Sequence, residues 1–162
     1  MTQIRRARLA DHADLTRLDA ATWSTTVTPA PTPEADAAFF DDRRRPDDVL
    51  VADVAGGVAG YAIVGQVVPI PSHEHVLELR GLTVHPACQG RGVGRLLVEA
   101  AVEEARARGA EKLSLRVLGP NVAARKLYAR CGFEVEGVLR AEFLLDGAYV
   151  DDVLMARRLA GV

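Results

Sequence analysis

The chain has 162 residues, 49% of them apolar and 26% charged, with a formal net charge of -2. That length suits one domain around one sizeable core, and the charge lacks the basic excess of a protein that grips nucleic-acid phosphates. No apolar run reaches the roughly 18 to 20 residues of a membrane span and MTQIRRARLADHADL lacks a signal peptide's apolar centre, so the expectation is a single cytoplasmic domain over residues 1–162 without nucleic-acid or membrane partners.

In chain order, QIRRARLAD alternates as a first strand, and DHADLTRLDAATW predicts a helix with Asp11 as N-cap and Leu15 and Leu18 on one face. A proline-spaced loop follows, which can turn helical from about Pro33 to Arg44 before a charged stretch ending at Pro46. VLVADVAGGVAGYAIVGQVV reads as two strands joined by a tight turn at Gly56-Gly57. HVLELRGLTV is the next strand, and VGRLLVEAAVEEARARG is a long helix closed by Gly109. KLSLRV is a strand with Leu113, Leu115 and Val117 on one face. NVAARKLYARCG is a short helix capped by Asn121, with Gly132 past its end. Two long strands joined through Asp146-Gly147 finish the chain. Cys88 and Cys131 stand in neither a Cys-x-x-Cys nor a metal-binding spacing and are expected as reduced structural thiols.

The stretch LTVHPACQGRGVGRLLVEAA places Gly90, Gly92 and Gly94 directly before the long helix. Glycine loses more freedom on ordering than alanine does, so this position must need a bare or left-handed backbone. The first helical turn carries unpaired N–H groups and the positive end of the macrodipole, and therefore attracts phosphate. Two familiar phosphate loops do not fit. A dinucleotide-binding G-x-G-x-x-G needs glycine where Arg95 stands, and a P-loop needs a Gly-Lys-Ser/Thr ending.

Gln89-x-x-Gly92-x-Gly94 after LTVHP, together with Asn121, Ala124, Leu127, Tyr128, Gly132 and Phe133 in the pattern N-x-x-A-x-x-L-Y-x-x-x-G-F, resembles the GNAT superfamily of acyl-CoA-dependent N-acetyltransferases. The likeness spans nearly the whole chain, more loosely over the first ~45 residues. The closing DGAYVDDVLMARRL is similar to bacterial members that acetylate amino acids or related small amines. The resemblance implies an α/β fold: a mixed, mostly antiparallel, twisted sheet of about seven strands flanked by about four helices, with the fourth and fifth strands splayed to admit acetyl-CoA as co-substrate.

It further implies roles for particular residues. Gln89, Gly90, Arg91, Gly92, Val93, Gly94 and Arg95 would wrap the pyrophosphate of the coenzyme, the two arginines adding positive charge. Leu82, Thr83 and Val84 would hold the pantetheine arm through their main chain, with an amide facing the thioester oxygen, although an ordinary buried strand would have the same side chains. Asn121 would bond the pantetheine or nearby backbone, or simply cap its helix. Tyr128 would give a proton to the departing thiolate, or at least hydrogen-bond to it, or be a core aromatic. Glu78, between Leu77 and Leu79 and pointing to the opposite face, would be the general base; otherwise it is a strand glutamate facing solvent.

No metal site is expected. His73 and His75 share a face without a third ligand and read as strand-edge or rim residues, His85 as a turn residue and His12 as surface. Trp23 either packs the first helix or shapes the acceptor pocket. The expected activity is transfer of an acetyl group to a small-molecule primary amine by direct attack in a ternary complex, by a monomer or homodimer. The alternatives are a protein N-terminal or lysine acetyltransferase, for which an open groove rather than a pocket closed by residues 27–36 would speak, and a non-catalytic CoA-binding module.

Overall fold

Stretches rich in β-branched and alternating apolar residues supply seven strands: β1 (Thr2–Arg6), β2 (Val49–Val54), β3 (Gly57–Gly65), β4 (Val76–Val84), β5 (Lys112–Leu118), β6 (Glu134–Leu145) and β7 (Ala148–Arg158). They form one sheet in the order β1-β2-β3-β4-β5-β7-β6. Every neighbouring pair is antiparallel except β4 and β5, which run parallel. The computed structural model describes residues 1–159; residues 160–162, the end of the expected domain, lie outside the described residues.

Among the described residues three α-helices cover the sheet, α1 (His12–Thr22), α2 (Val93–Ala107) and α3 (Val122–Arg130), rather than about four. The helix expected between Pro33 and Arg44 does not form. That segment is irregular, closed by a bridge between Asp41 and Arg44. Tertiary packing overrides its helical pattern: Phe39 is buried, stands edge-on to the Tyr61 ring at 5.1 Å and carries the Arg44 guanidinium 4.6 Å above it.

The alternation of each strand feeds two cores. On one face α2 packs Leu97, Val98, Ala101, Val102 and Ala105 against Leu113, Leu115 and Val117 of β5. On the other, Leu15 and Leu18 of α1 join Phe39, Val49, Val51, Tyr61 and Ile63. β2 is buried on both sides, Val49 and Val51 toward α1 and Leu50 and Ala52 toward α2, so VLVA reads as a continuous apolar run.

Turn chemistry matches the sequence with two corrections. The first hairpin turns at Ala55-Gly56, both at positive φ (53° and 82°), while Gly57 already belongs to β3 and pairs with Val54. The turn needs left-handed backbone at two positions, and only the second has a glycine. Asp11 makes no side-chain cap for α1. Its carboxylate instead accepts the Arg8 amide at 2.7 Å and the Arg5 guanidinium at 2.8 and 2.9 Å, fastening the turn between β1 and α1. The Asp146-Gly147 hairpin forms as expected, with φ of 51° and 76°.

Two irregularities in the middle of the sheet create the site. Ile63 pairs with Gly81 and Val64 with Leu79, so Arg80 is an extra residue in β4, a bulge that resets its alternation. Before it Leu77 and Leu79 face the α2 core; after it Leu82 and Val84 do. The β4–β5 pairing runs from Val76–Lys112 to Leu79–Leu115 and stops there. Beyond that point the strands part, as the resemblance implied.

Candidate active site

Where β4 and β5 part, a cleft of about 740 Å³ passes between them and reaches both faces of the sheet. On the α2 side it is lined by Leu82, Val84, Gln89, Asn121, Ala124 and Tyr128; on the α1 side by Asp19, Trp23, Arg44, Tyr61 and the loop after α1. Residues 81–84 pair with β3 but not with β5, so the main chain there presents peptide groups toward the cleft. An extended ligand arm can bond to such an edge as an added strand would. Leu82, Thr83 and Val84 lie on this edge.

The glycine loop resolves into two kinds of glycine. Gly90 and Gly92 lie at φ of 74° and 83° with open space around a hypothetical Cβ, so they serve backbone conformation. Gly94 has no such φ; a Cβ there would come within 3.1 Å of Leu127 Cδ2, so this glycine lets α2 and α3 approach each other. Gln89 folds back to donate from Nε2 to the Val84 carbonyl at 3.1 Å, tying the loop to the end of β4. The first turn of α2 holds no acidic residue, Arg91 and Arg95 are exposed beside it, and the Val93 side chain is buried in the core. Unpaired amides, positive charge and absent carboxylates suit the pyrophosphate of acetyl-CoA.

Tyr128 is 8% exposed, packs near the Phe133 ring at 6.0 Å and still lines the cleft. Burial, and secondarily the neighbouring Cys131, pushes its pKa well above the ordinary phenol value, so it remains a hydroxyl. Asn121 accepts the Ala124 amide at 3.3 Å through Oδ1, a helix cap, and also lines the cleft. Glu78 is half-buried beside the last paired rung, opposite Ser114, and is not among the residues that line the cleft. Desolvation raises its pKa, opposed by Arg116 and Arg80 and reinforced by Asp152.

The α1 side of the cleft contains residues that no motif marked. Asp19 accepts the Tyr61 hydroxyl and pairs with Arg44 at 3.3 Å. Arg116, in β5 past the parting, donates Nε to the buried Asp152 at 2.6 Å, with Nη2 2.5 Å from the same oxygen. Arg80 lines the cleft from the bulge. Arg80 and Arg116 carry one sequence signal, a charged residue beside apolar ones in a strand, as Arg80 after Leu79 and Arg116 between Leu115 and Val117. Trp23 ends α1, donates Nε1 to the Ala30 carbonyl at 3.0 Å and lines the cleft.

The remaining candidates do not join the site. His85 accepts the Ala87 amide in a turn, His12 lies near Phe40 at a ring separation of 6.2 Å, and His73 and His75 face each other at 6.4 Å near the start of β4. Among the described residues no group of three or more His, Cys, Asp or Glu side chains is placed to hold a metal ion. Cys88 and Cys131 are both free thiols. No helix among the described residues is long and apolar enough to cross a membrane.

A mixed sheet parted at its one parallel pair, with a left-handed glycine turn leading into a helix beside the parting, is the arrangement that the resemblance to acyl-CoA-dependent acetyltransferases implies. The family model described as Acetyltransferase (GNAT) family matches residues 13–133. An L-methionine sulfoximine/L-methionine sulfone acetyltransferase of Pseudomonas aeruginosa is 33% identical over 124 residues, covering 75% of this chain and 72% of that protein. The N-alpha-acetyltransferase RimI of Mycobacterium tuberculosis is 34% identical over 126 residues, covering 77% of this chain and 75% of that one. The structure of yncA, a putative acetyltransferase from Salmonella typhimurium with its cofactor acetyl-CoA, superposes with a TM-score of 0.85 at 27% identity over 100% of this chain and 96% of that one. The chain belongs to the GNAT acetyltransferase family and is an acetyl-CoA-dependent N-acetyltransferase.

Proposed function

We propose that the acceptor is the primary amine of a small molecule, which attacks acetyl-CoA directly while both are bound. The observation that carries this reading is the loop after α1, which borders the cleft on the side of the sheet away from α2. The loop after α1 contributes Val27, Thr28, Ala30, Pro31, Thr32, Pro33 and Glu34 to the lining, and it is fastened by Trp23 to Ala30 and by Thr25 to Asp146 at 2.6 Å. A protein lysine or amino terminus would need a groove open to a chain. The amino-acid analogues in the name of the Pseudomonas aeruginosa relative support a small acceptor. The RimI relative supports a second reading, transfer to a protein α-amine.

Acetyl-CoA supplies an activated acyl carbon and a thiol leaving group. The protein's contribution is to hold the arm against the main chain of Leu82–Val84, which aims fixed N–H dipoles at the carbonyl oxygen where negative charge grows. Tyr128 Oη, a persistent hydroxyl, delivers a proton to the departing sulfur. Glu78, set back from the cleft, takes the proton of the incoming amine through water. A covalent relay has poor candidates: Cys131 is buried, and burial raises its thiol pKa, which leaves little thiolate.

The test is thiol release from acetyl-CoA with free amino acids, simple alkylamines and short peptides as acceptors, using wild type and Tyr128→Phe. The expected result is turnover with a free small amine and a kcat for Tyr128→Phe lower by about 10²- to 10⁴-fold, the range of a lost general acid. Turnover with peptides alone would support the second reading. Wild-type kcat in Tyr128→Phe would remove this hydroxyl from the reaction.

A further inference from the structure

Three arginines line the cleft on its acceptor side, and they are not equivalent. Arg44 is paired with Asp19 and lies over Phe39, and Arg116 is locked to the buried Asp152 through Nε and Nη2. Arg80 has no such partner: among the described residues no carboxylate forms an ion pair with it. Its only polar contact there is a hydrogen bond from Nη1 to the Arg43 carbonyl at 3.0 Å, which leaves Nε and Nη2 as donors.

The exposed side chain has one further contact. Its stem lies over Gly65, where an added Cβ would come within 3.3 Å of Arg80 Cδ. The bulge puts Arg80 two residues before Leu82, about 7 Å along the strand from the start of the main-chain edge that receives the acyl arm. Glu78 lies two residues earlier on the same strand. The strand thus carries a guanidinium that lines the cleft and a carboxylate set back from it, the complement of an ammonium and a carboxylate carried by one small molecule.

We propose that Arg80 reads a carboxylate on the acceptor, so that the substrate is an amino acid whose carboxylate lies close to the reacting amine. This rests on the small-molecule reading of the acceptor. Arg80 is then a specificity-determining residue: it contacts substrate away from the reacting atoms, through the planar donor edge that a guanidinium presents to a carboxylate. The partnered arginines are poorer readers, because Asp19 and Asp152 already neutralise them.

The experiment compares kcat/KM for free amino acids and for the matching amino-acid amides, in wild type, Arg80→Gln and Arg80→Lys, with thermal melts confirming that each variant is folded. Wild type is expected to favour the acid over the amide by about 10- to 100-fold, the worth of a hydrogen bond to a charged group. In Arg80→Gln that ratio falls toward one, chiefly through KM for the acid, and Arg80→Lys restores part of it. An unchanged ratio in Arg80→Gln, or equal losses for acid and amide, would mean that Arg80 only holds the loop at Arg43 and would overturn the proposal. A wild type that accepts simple alkylamines but does not favour acids overturns this inference and leaves the small-molecule reading standing; a wild type that accepts peptides alone overturns both.

Discussion

Tyr128 and Glu78 are both shifted upward by burial, which favours the neutral form of each, with opposite consequences for their proposed roles. For Tyr128 the shift preserves the neutral donor that the reaction uses. For Glu78 it penalises the carboxylate that a base must be, so the folded protein carries a destabilising charge there at neutral pH. A carboxyl with a raised folded-state pKa contributes most to stability below its unfolded pKa, near ~4.3 for glutamate, and that contribution is lost as pH rises through the folded value. Glu78→Gln should therefore melt higher than wild type at pH 7 to 8, with the difference shrinking toward pH 4. Its turnover should fall most at lower pH, where the amine arrives protonated. Melting curves and pH–rate profiles check the two halves. A Glu78→Gln protein less stable than wild type at pH 7 would show that attraction to Arg116 and Arg80 outweighs desolvation.

At the scale of elements, the loop before α2 shows how far a motif can be read. Gln89, Gly92 and Gly94 were recognisable as a set, and the helix start they mark is where the structure has it. Their separate duties were not legible, because φ at Gly92 and the approach of Leu127 to Gly94 belong to three-dimensional packing. The difference is testable. Gly92→Ala forces a side chain into left-handed backbone, a strain of roughly 1–2 kcal/mol, and should weaken acetyl-CoA binding in calorimetry as the loop relaxes. Gly94→Val overfills the α2–α3 contact and should lower stability by about 1–3 kcal/mol, seen as an earlier melt. Equal behaviour of the two variants in both measurements would erase the distinction. The expected helix at Pro33–Arg44 failed for a related reason: Phe39 finds its place against Tyr61, 22 positions away by their residue numbers, and no local pattern encodes that.

For the whole molecule, the sequence marked the Asp146-Gly147 hairpin and the long helix between the fourth and fifth strands, and the structure makes those two strands the parallel pair. The coenzyme side of the cleft was legible because its residues lie in two contiguous motifs. The acceptor side was not, since Asp19, Arg44, Tyr61, Arg80 and Arg116 come from five separate stretches and meet only once the sheet is in register. The central claim is that coenzyme and acceptor meet through the parting of β4 and β5. Backbone amide hydrogen exchange, followed with and without saturating acetyl-CoA, tests it most directly. The expected result is slowed exchange in residues 81–84 and 89–95 on addition of acetyl-CoA. Protection confined to other parts of the chain, with exchange in residues 81–84 unaltered, would contradict it.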